Sequence, residues 1–265
     1  MTEKDIASFK AWFKNYVGSF RFPDEKDRKN IALKEEHTYN VCRNIVLIAK
    51  GSSLTGAKLL LAESIGLFHD VGRFEQYRKY RTFRDSVSVN HAAFGAAILD
   101  EEKLLENLPE EEQDIILSSV KFHNALAMPA LQGSDARLFL KLIRDADKLD
   151  IWRVFVEYYE SPEEDRASAA GLGLPDSPEY SDEVLACVFE KRIAPLSILR
   201  TLNDFKITQL SWVYDLNFDE SFRLLREREY FEKILASLPE SDDIARASYL
   251  LRDYLEQRLR NKCPV

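Results

Sequence analysis

The chain has 265 residues, 45% hydrophobic and 31% charged, with a formal net charge of −8. That length can bury a sizeable core in one large domain or two small ones. The acidic balance excludes wholesale binding to nucleic acid or an anionic membrane, both of which need a broad basic surface, but leaves room for a local anion pocket.

Nine glycines and nine prolines imply few connections, which favours long helices over many short strands. In chain order, residues 3–18 predict an amphipathic helix with Ile6, Phe9, Phe13 and Tyr16 on one side. A second helix over about 31–50 puts Leu33, His37, Val41, Ile45 and Ile48 on its buried stripe and stops at Gly51. The third, over 55–69, is very apolar and runs into "GLFHDVGRF" (66–74), where a histidine and an aspartate interrupt the leucines. Helices over about 88–105, 110–123 and 134–159 follow, broken at Pro109 and at "MPALQGS". Residues 161–181, rich in proline, glycine and small side chains, read as a linker or flexible lid. Helices over about 182–192, 195–213, 218–237 and 240–261 complete the chain, with no repeat and no convincing strand. The expectation is an all-α protein: a helical core over 1–160, a loop over 161–181, and a C-terminal helical extension over 182–265 packed on the core.

Cys42, Cys187 and Cys263 are odd in number and form no CxxC pair, so neither a thiolate zinc site nor a disulfide framework is indicated. A reducing, cytoplasmic setting fits best. "MTEKDIASFKAWF" is charged from its third residue, unlike a signal peptide, and Cys263 lies too near the end for a prenylation box. No apolar run reaches the roughly 18 residues of a membrane span.

The chain's four histidines, His37, His69, His91 and His123, all fall between residues 37 and 123, each at helical spacing from apolar residues. One such histidine is ordinarily a core residue with its ring nitrogens bonded to backbone. Four would each need separate partners, whereas one shared metal satisfies them together. Two carboxylates join the pattern: Asp70, beside His69, and Asp147, on the apolar helix "LKLIRDADKLDIW". A buried carboxylate is costly unless paired or metal-bound. Arg144 and Lys148 are poorly placed along the helix to pair with Asp147, while Asp145 and Asp150 compete for the same role, and wheel geometry does not decide between them.

The series His37, His69–Asp70, His91, His123 and Asp147, ending in "DADKLD", resembles the HD-domain superfamily of metal-dependent phosphohydrolases over about residues 31–155. The resemblance implies an all-helical fold in which His37, His69, Asp70 and Asp147 hold one metal, and it favours Asp147 over Asp145. It further implies that His91 and His123 serve a second metal. Imidazoles and carboxylates without thiolates suit Mn, Fe, Co, Ni or Zn as divalent ions. With two metals, Asp70 could use one oxygen on each as a bridge, and ions roughly 3.5–4 Å apart would hold a hydroxide for in-line attack on a phosphate.

Where many members have lysine three residues after the doublet, this chain has Arg73, which suits bidentate phosphate binding better than proton donation. Next comes "RFEQYRKYRTFRDS", in which Arg73, Arg78, Lys79, Arg81 and Arg84 alternate with Phe74, Tyr77, Tyr80 and Phe83. It reads either as a solvated basic face anchored by its aromatics or, slightly favoured, as an anion-binding rim with an aromatic available to stack on a base. Lys121 and Lys148 are weaker candidates for anion binding. The expected activity is hydrolysis of a phosphate ester of a nucleotide or another small metabolite, with Asp70 and Arg73 as catalytic residues and Arg73, Arg78, Arg81 and Lys148 binding substrate. Neither a membrane nor an extended nucleic-acid surface is expected as a partner, while a homo-oligomer is compatible with the sequence. The competing readings are a diiron oxygenase acting on polyols and a regulatory helical module with a vestigial site.

Overall fold

The computed structural model describes residues 1–131, 133–162 and 173–260, and every regular element among them is helical. The fold is all-α, as expected. The described residues fall into two compact units, Met1–Asp150 and the remainder from Ile151 onward.

The first unit contains α1 (Glu3–Gly18), α2 (Glu25–Gly51), α3 (Ala57–Phe68), α4 (Val71–Tyr80), α5 (His91–Glu101), α6 (Glu110–Phe122) and the start of α7 (Ser134–Glu160). α1 opens with a capping box, in which the Thr2 hydroxyl accepts from the Asp5 amide and the Asp5 carboxylate accepts from Thr2. Its buried stripe is Ile6, Phe9, Phe13 and Val17. Phe9 meets Phe68 edge-on at 5.1 Å and Phe13 meets Phe74 at 5.8 Å, so α1 braces the end of α3 and the start of α4. The Tyr16 hydroxyl adds a hydrogen bond of 3.2 Å to the Val71 carbonyl.

Two glycines permit the close helix contacts that follow. A Cβ on Gly66 would lie 3.1 Å from the Cα of Cys42, so its absence lets α3 settle against α2. A Cβ on Gly72 would lie 2.2 Å from the His91 carbonyl oxygen and 2.7 Å from the Gly95 nitrogen. Gly72 is therefore required by the approach of α4 to α5.

The second unit contains the last turns of α7, then α8 (Asp182–Phe189), α9 (Leu202–Ser211), α10 (Asp219–Glu227), α11 (Tyr230–Ala236) and α12 (Asp242–Arg260). Phe155, Leu202 and Phe205 form its core cluster, with Ile151, Tyr158, Tyr159 and Trp212 against them. The boundary lies inside α7 because these last turns supply core residues to the second unit. Most of the stretch read as a loop or lid, residues 163–172, lies outside the described residues. Its remainder is pinned to α9: the Leu202 amide donates to the Pro175 carbonyl at 2.9 Å, and the Ser181 amide to Asp204 at 2.6 Å.

Several boundaries differ from the periodicity. α2 begins at Glu25, where Asp24 caps the helix by accepting from the Lys26 amide at 2.8 Å. The basic segment after Asp70 is itself a helix, α4. The helix expected over 88–105 starts only at His91, where Asn90 accepts from the Ala93 amide at 3.0 Å. The stretch expected as one helix over 218–237 breaks between α10 and α11 at Glu229, which is left-handed (φ 58°) without being glycine. None of the helices of the described residues is long and apolar enough to cross a membrane.

Candidate metal centre

His69 is the C-cap of α3 and Asp70 the N-cap of α4, so the doublet occupies the break between two helices. In an unbroken helix, neighbours point about 100° apart. The backbone turn at Asp70 (φ −107°, ψ 14°) removes that restriction. Both side chains then face one centre, with His69 Nε2 3.8 Å from Asp70 Oδ2.

The remaining histidines arrive from three helices. His37 lies mid-way along α2, His91 is the first residue of α5, and His123 caps α6. All four are buried, and so is Asp70. His37 Nε2 stands 3.3 Å from His69 Nε2, 3.6 Å from Asp70 Oδ2 and 3.1 Å from Asp147 Oδ1. His91 Nε2 stands 3.1 Å from His123 Nε2 and 3.3 Å from Asp70 Oδ1, and His123 Nε2 is 3.8 Å from that same oxygen. Two donor groups result, His37–His69–Asp70 and Asp70–His91–His123, sharing one carboxylate. Asp147 faces the first.

The donor set fits divalent ions. Bonds of about 2.0–2.2 Å separate neighbouring donors by about 3.0–3.6 Å in octahedral or tetrahedral geometry, and the distances above fall close to that range. Each imidazole also has its outer nitrogen committed. His69 Nδ1 bonds to the Gly66 carbonyl and His123 Nδ1 to the Val120 carbonyl, both at 2.8 Å. These acceptors lie three residues back at a helix end, where carbonyls lack intrahelical partners. His37 Nδ1 bonds to Asp150 Oδ2 and His91 Nδ1 to Asp85 Oδ2, both at 2.7 Å. With Nδ1 donating, Nε2 carries the lone pair that a metal needs.

Electrostatics favour the same state for most of the cluster. Burial, with Arg73 adding to it, pushes His91 down to about 4, and burial together with His69 does the same for His123. Burial also lowers His69. His37 behaves oppositely: burial and Lys34 oppose its charge, but the bonds to Asp147 and Asp150 prevail and hold it at about 9. Burial alone would raise Asp70, yet Lys34, His69, Arg73 and His91 hold it well below the usual carboxylate range.

Two cations flank the bridging carboxylate. Lys34 Nζ lies 2.8 Å from Asp70 Oδ2, and Arg73 Nε lies 3.5 Å from Asp70 Oδ1. Sequence reading passed over Lys34, although its place one turn before His37 was a usable signal. Arg73 is already engaged through Nη1 with Asp85 Oδ1 (2.8 Å), Gln76 Oε1 (3.0 Å) and the Phe83 carbonyl. Its Nε has no hydrogen-bond partner among the described residues.

Other expected residues fall elsewhere. Arg78 and Lys79 pair with Glu75, and Arg81 with Asp27 at 2.7 Å. Phe74, Tyr77 and Phe83 turn inward and are buried. These pairs and buried rings suit a solvated basic face anchored by its aromatics, while Tyr80 stays exposed. Lys121 lies over the Phe122 ring, and Lys148 reaches the Arg144 carbonyl at 3.5 Å. Arg144, considered a partner for Asp147, instead donates to the His123 carbonyl at 3.3 Å. Asp150 orients His37 from its outer nitrogen.

Residues 35–152 match the family model of the HD domain, which is consistent with the resemblance to the HD-domain superfamily. No curated protein and no solved structure gives a significant match. The family binds divalent metals, and the two donor groups here could hold them.

Proposed function

We propose that this protein is a metal-dependent phosphohydrolase with a two-ion centre, cleaving a phosphate ester of a nucleotide or another small phosphorylated metabolite. The observation that carries the reading is the split carboxylate of Asp70, with Oδ2 toward His37 and His69 and Oδ1 toward His91 and His123. His37, His69, Asp70 and Asp147 would hold one ion and Asp70, His91 and His123 the other, drawn from Mn, Fe, Co, Ni or Zn. When bound, such ions lower the pKa of coordinated water and offset phosphoryl charge, so no serine or cysteine nucleophile is required.

The chain's own residues do the rest. The committed Nδ1 protons keep the imidazoles oriented through the reaction. Lys34 and the Nε of Arg73 bring positive charge to the two edges of Asp70, which supports an anionic substrate over the neutral polyol of an oxygenase. Arg78 and Arg81 pair with Glu75 and Asp27 and enter as outer contacts at most. Lys148, beside Asp147, is a further substrate contact.

Elemental analysis of the purified protein, followed by a phosphate-release screen over nucleotides and sugar phosphates with Mn²⁺, Ni²⁺ or Co²⁺, tests the reading. Metal uptake with phosphate release is expected. Metal-loaded protein that releases no phosphate, yet consumes oxygen with a polyol, would replace this reading with the oxygenase one.

A further inference from the structure

Asp85 lies in a short 3-10 turn (Asp85–Val87) between α4 and α5, at the end of the basic and aromatic stretch but given no role by the sequence. Every hydrogen bond it makes is accepted. Oδ1 receives Arg73 Nη1 at 2.8 Å and Gln76 Nε2 at 2.9 Å. Oδ2 receives His91 Nδ1 at 2.7 Å, Asn124 Nδ2 at 3.2 Å and the His91 amide at 3.4 Å. Gln76 is fully buried and cannot drift, since its amide also donates to Ser88 Oγ at 2.8 Å and the Val89 carbonyl at 3.0 Å. The turn is thereby fastened to α4, to His91 and to the residue after His123.

We propose that Asp85 is the positioning residue that makes the second donor group a metal site, so that occupancy of the His91–His123 position is set from this turn, independently of the first position. This rests on the two-ion reading above. His91 is the first residue of its helix, so no helical turn precedes it to aim a carbonyl at Nδ1 as happens for His69 and His123. The Asp85 carboxylate substitutes for that carbonyl. It also ties His91 to Arg73, the cation beside Asp70 Oδ1, so one carboxylate contacts both groups on that edge of the bridge.

An isosteric amide cannot replace it. In Asp85→Asn the NH₂ must face either Arg73 and Gln76, which are donors, or His91 Nδ1. The second choice puts the ring proton on Nε2 and removes the lone pair that faces Asp70.

Apo-protein titrated with Mn²⁺ and with Ni²⁺, read by calorimetry and by elemental analysis after dialysis, tests the proposal. The wild type is expected to take two equivalents. D85N is expected to keep the first at unchanged affinity and to bind the second about 10–100-fold more weakly. With Mn²⁺, paramagnetic resonance should change from the spin-coupled signal of an ion pair to that of an isolated ion. A second variant, Asp85→Ala, should regain the second equivalent when formate is supplied in solution. D85N binding both ions as the wild type does, or losing both alike, overturns the proposal, as does Asp85→Ala failing to respond to formate. A wild type that takes one equivalent overturns it together with the two-ion reading. Two equivalents in the wild type and one in D85N, with no phosphate released from any substrate, sink the phosphohydrolase reading alone.

Discussion

At Asp70 the two donor groups share a single side chain, so its removal strikes both. Asp70→Ala is expected to abolish metal retention after dialysis, whereas His123→Ala should lower it by one equivalent. Elemental analysis of the two variants side by side checks the bridging geometry, and a D70A protein with full occupancy would refute it. The flanking cations divide differently. Lys34 touches Asp70 Oδ2 through a flexible stem, and a metal on that oxygen would weaken the attraction and leave the ammonium for an incoming anion. Lys34→Met is therefore expected to raise KM for a phosphorylated substrate about tenfold or more while leaving metal stoichiometry unchanged. Steady-state kinetics with the substrate found in the release screen measure this, and an unchanged KM would return Lys34 to a purely structural role.

Among the elements, the α4–α5 contact decides where His91 stands. Gly72→Ala puts a methyl carbon against backbone atoms that cannot rotate away. The expected cost is at the upper end of about 1–3 kcal/mol, read from denaturant unfolding. The same displacement should weaken the second ion, because His91 moves with the carbonyl that the methyl strikes. In the second unit, the buried Asp204 carboxylate accepts from the Ser181 amide and hydroxyl and from the Arg200 and Thr201 amides. Asp204→Ala leaves those donors unmatched and is expected to cost about 3 kcal/mol. Faster hydrogen exchange confined to residues around 175–204 would show that the loss is of this junction. Protection equal to wild type would contradict it.

For the whole molecule, protons and metal compete for the same cluster. Unfolded histidines titrate near 6.5, while His91 and His123 are held at about 4 in the folded chain. Between those values the unfolded chain binds more protons, so stability falls as pH drops from 6.5 toward 4. His37, held at about 9, keeps its proton where the unfolded chain releases it, so its contribution is lost as pH rises from 6.5 toward 9. Metal-free protein should be most stable near pH 6.5, and melting temperatures in chelator across pH 4–9 test this, a monotonic profile contradicting it. Divalent metal at a hundred times its Kd should stabilise the fold by about 2.7 kcal/mol, visible as a raised Tm that chelator reverses.

Much of this was legible in the linear chain. Scarce glycine and proline with apolar residues every three or four positions dictate helices, because that period is the one a helix can bury. The four histidines and two aspartates were conspicuous for a related reason: polar groups on apolar stripes need partners, and few partners satisfy several at once. Local pattern did not carry the convergence itself. His69 and Asp70 meet because the helix breaks between them, and His91 meets Asp70 because Gly72 admits a neighbouring backbone. The resemblance favoured Asp147 over Asp145, and the course of α7 beside His37 put Asp147 at the inner ring nitrogen and Asp150 at the outer one. Lys34 and Asp85 gain their places from contacts across 36 and 6 residues of chain, respectively. The sequence determined which elements form and which atoms could bind a metal, since both follow from side-chain chemistry and local periodicity. The tertiary structure alone decided which of those atoms face one another, because that depends on helix packing at distances no local pattern encodes.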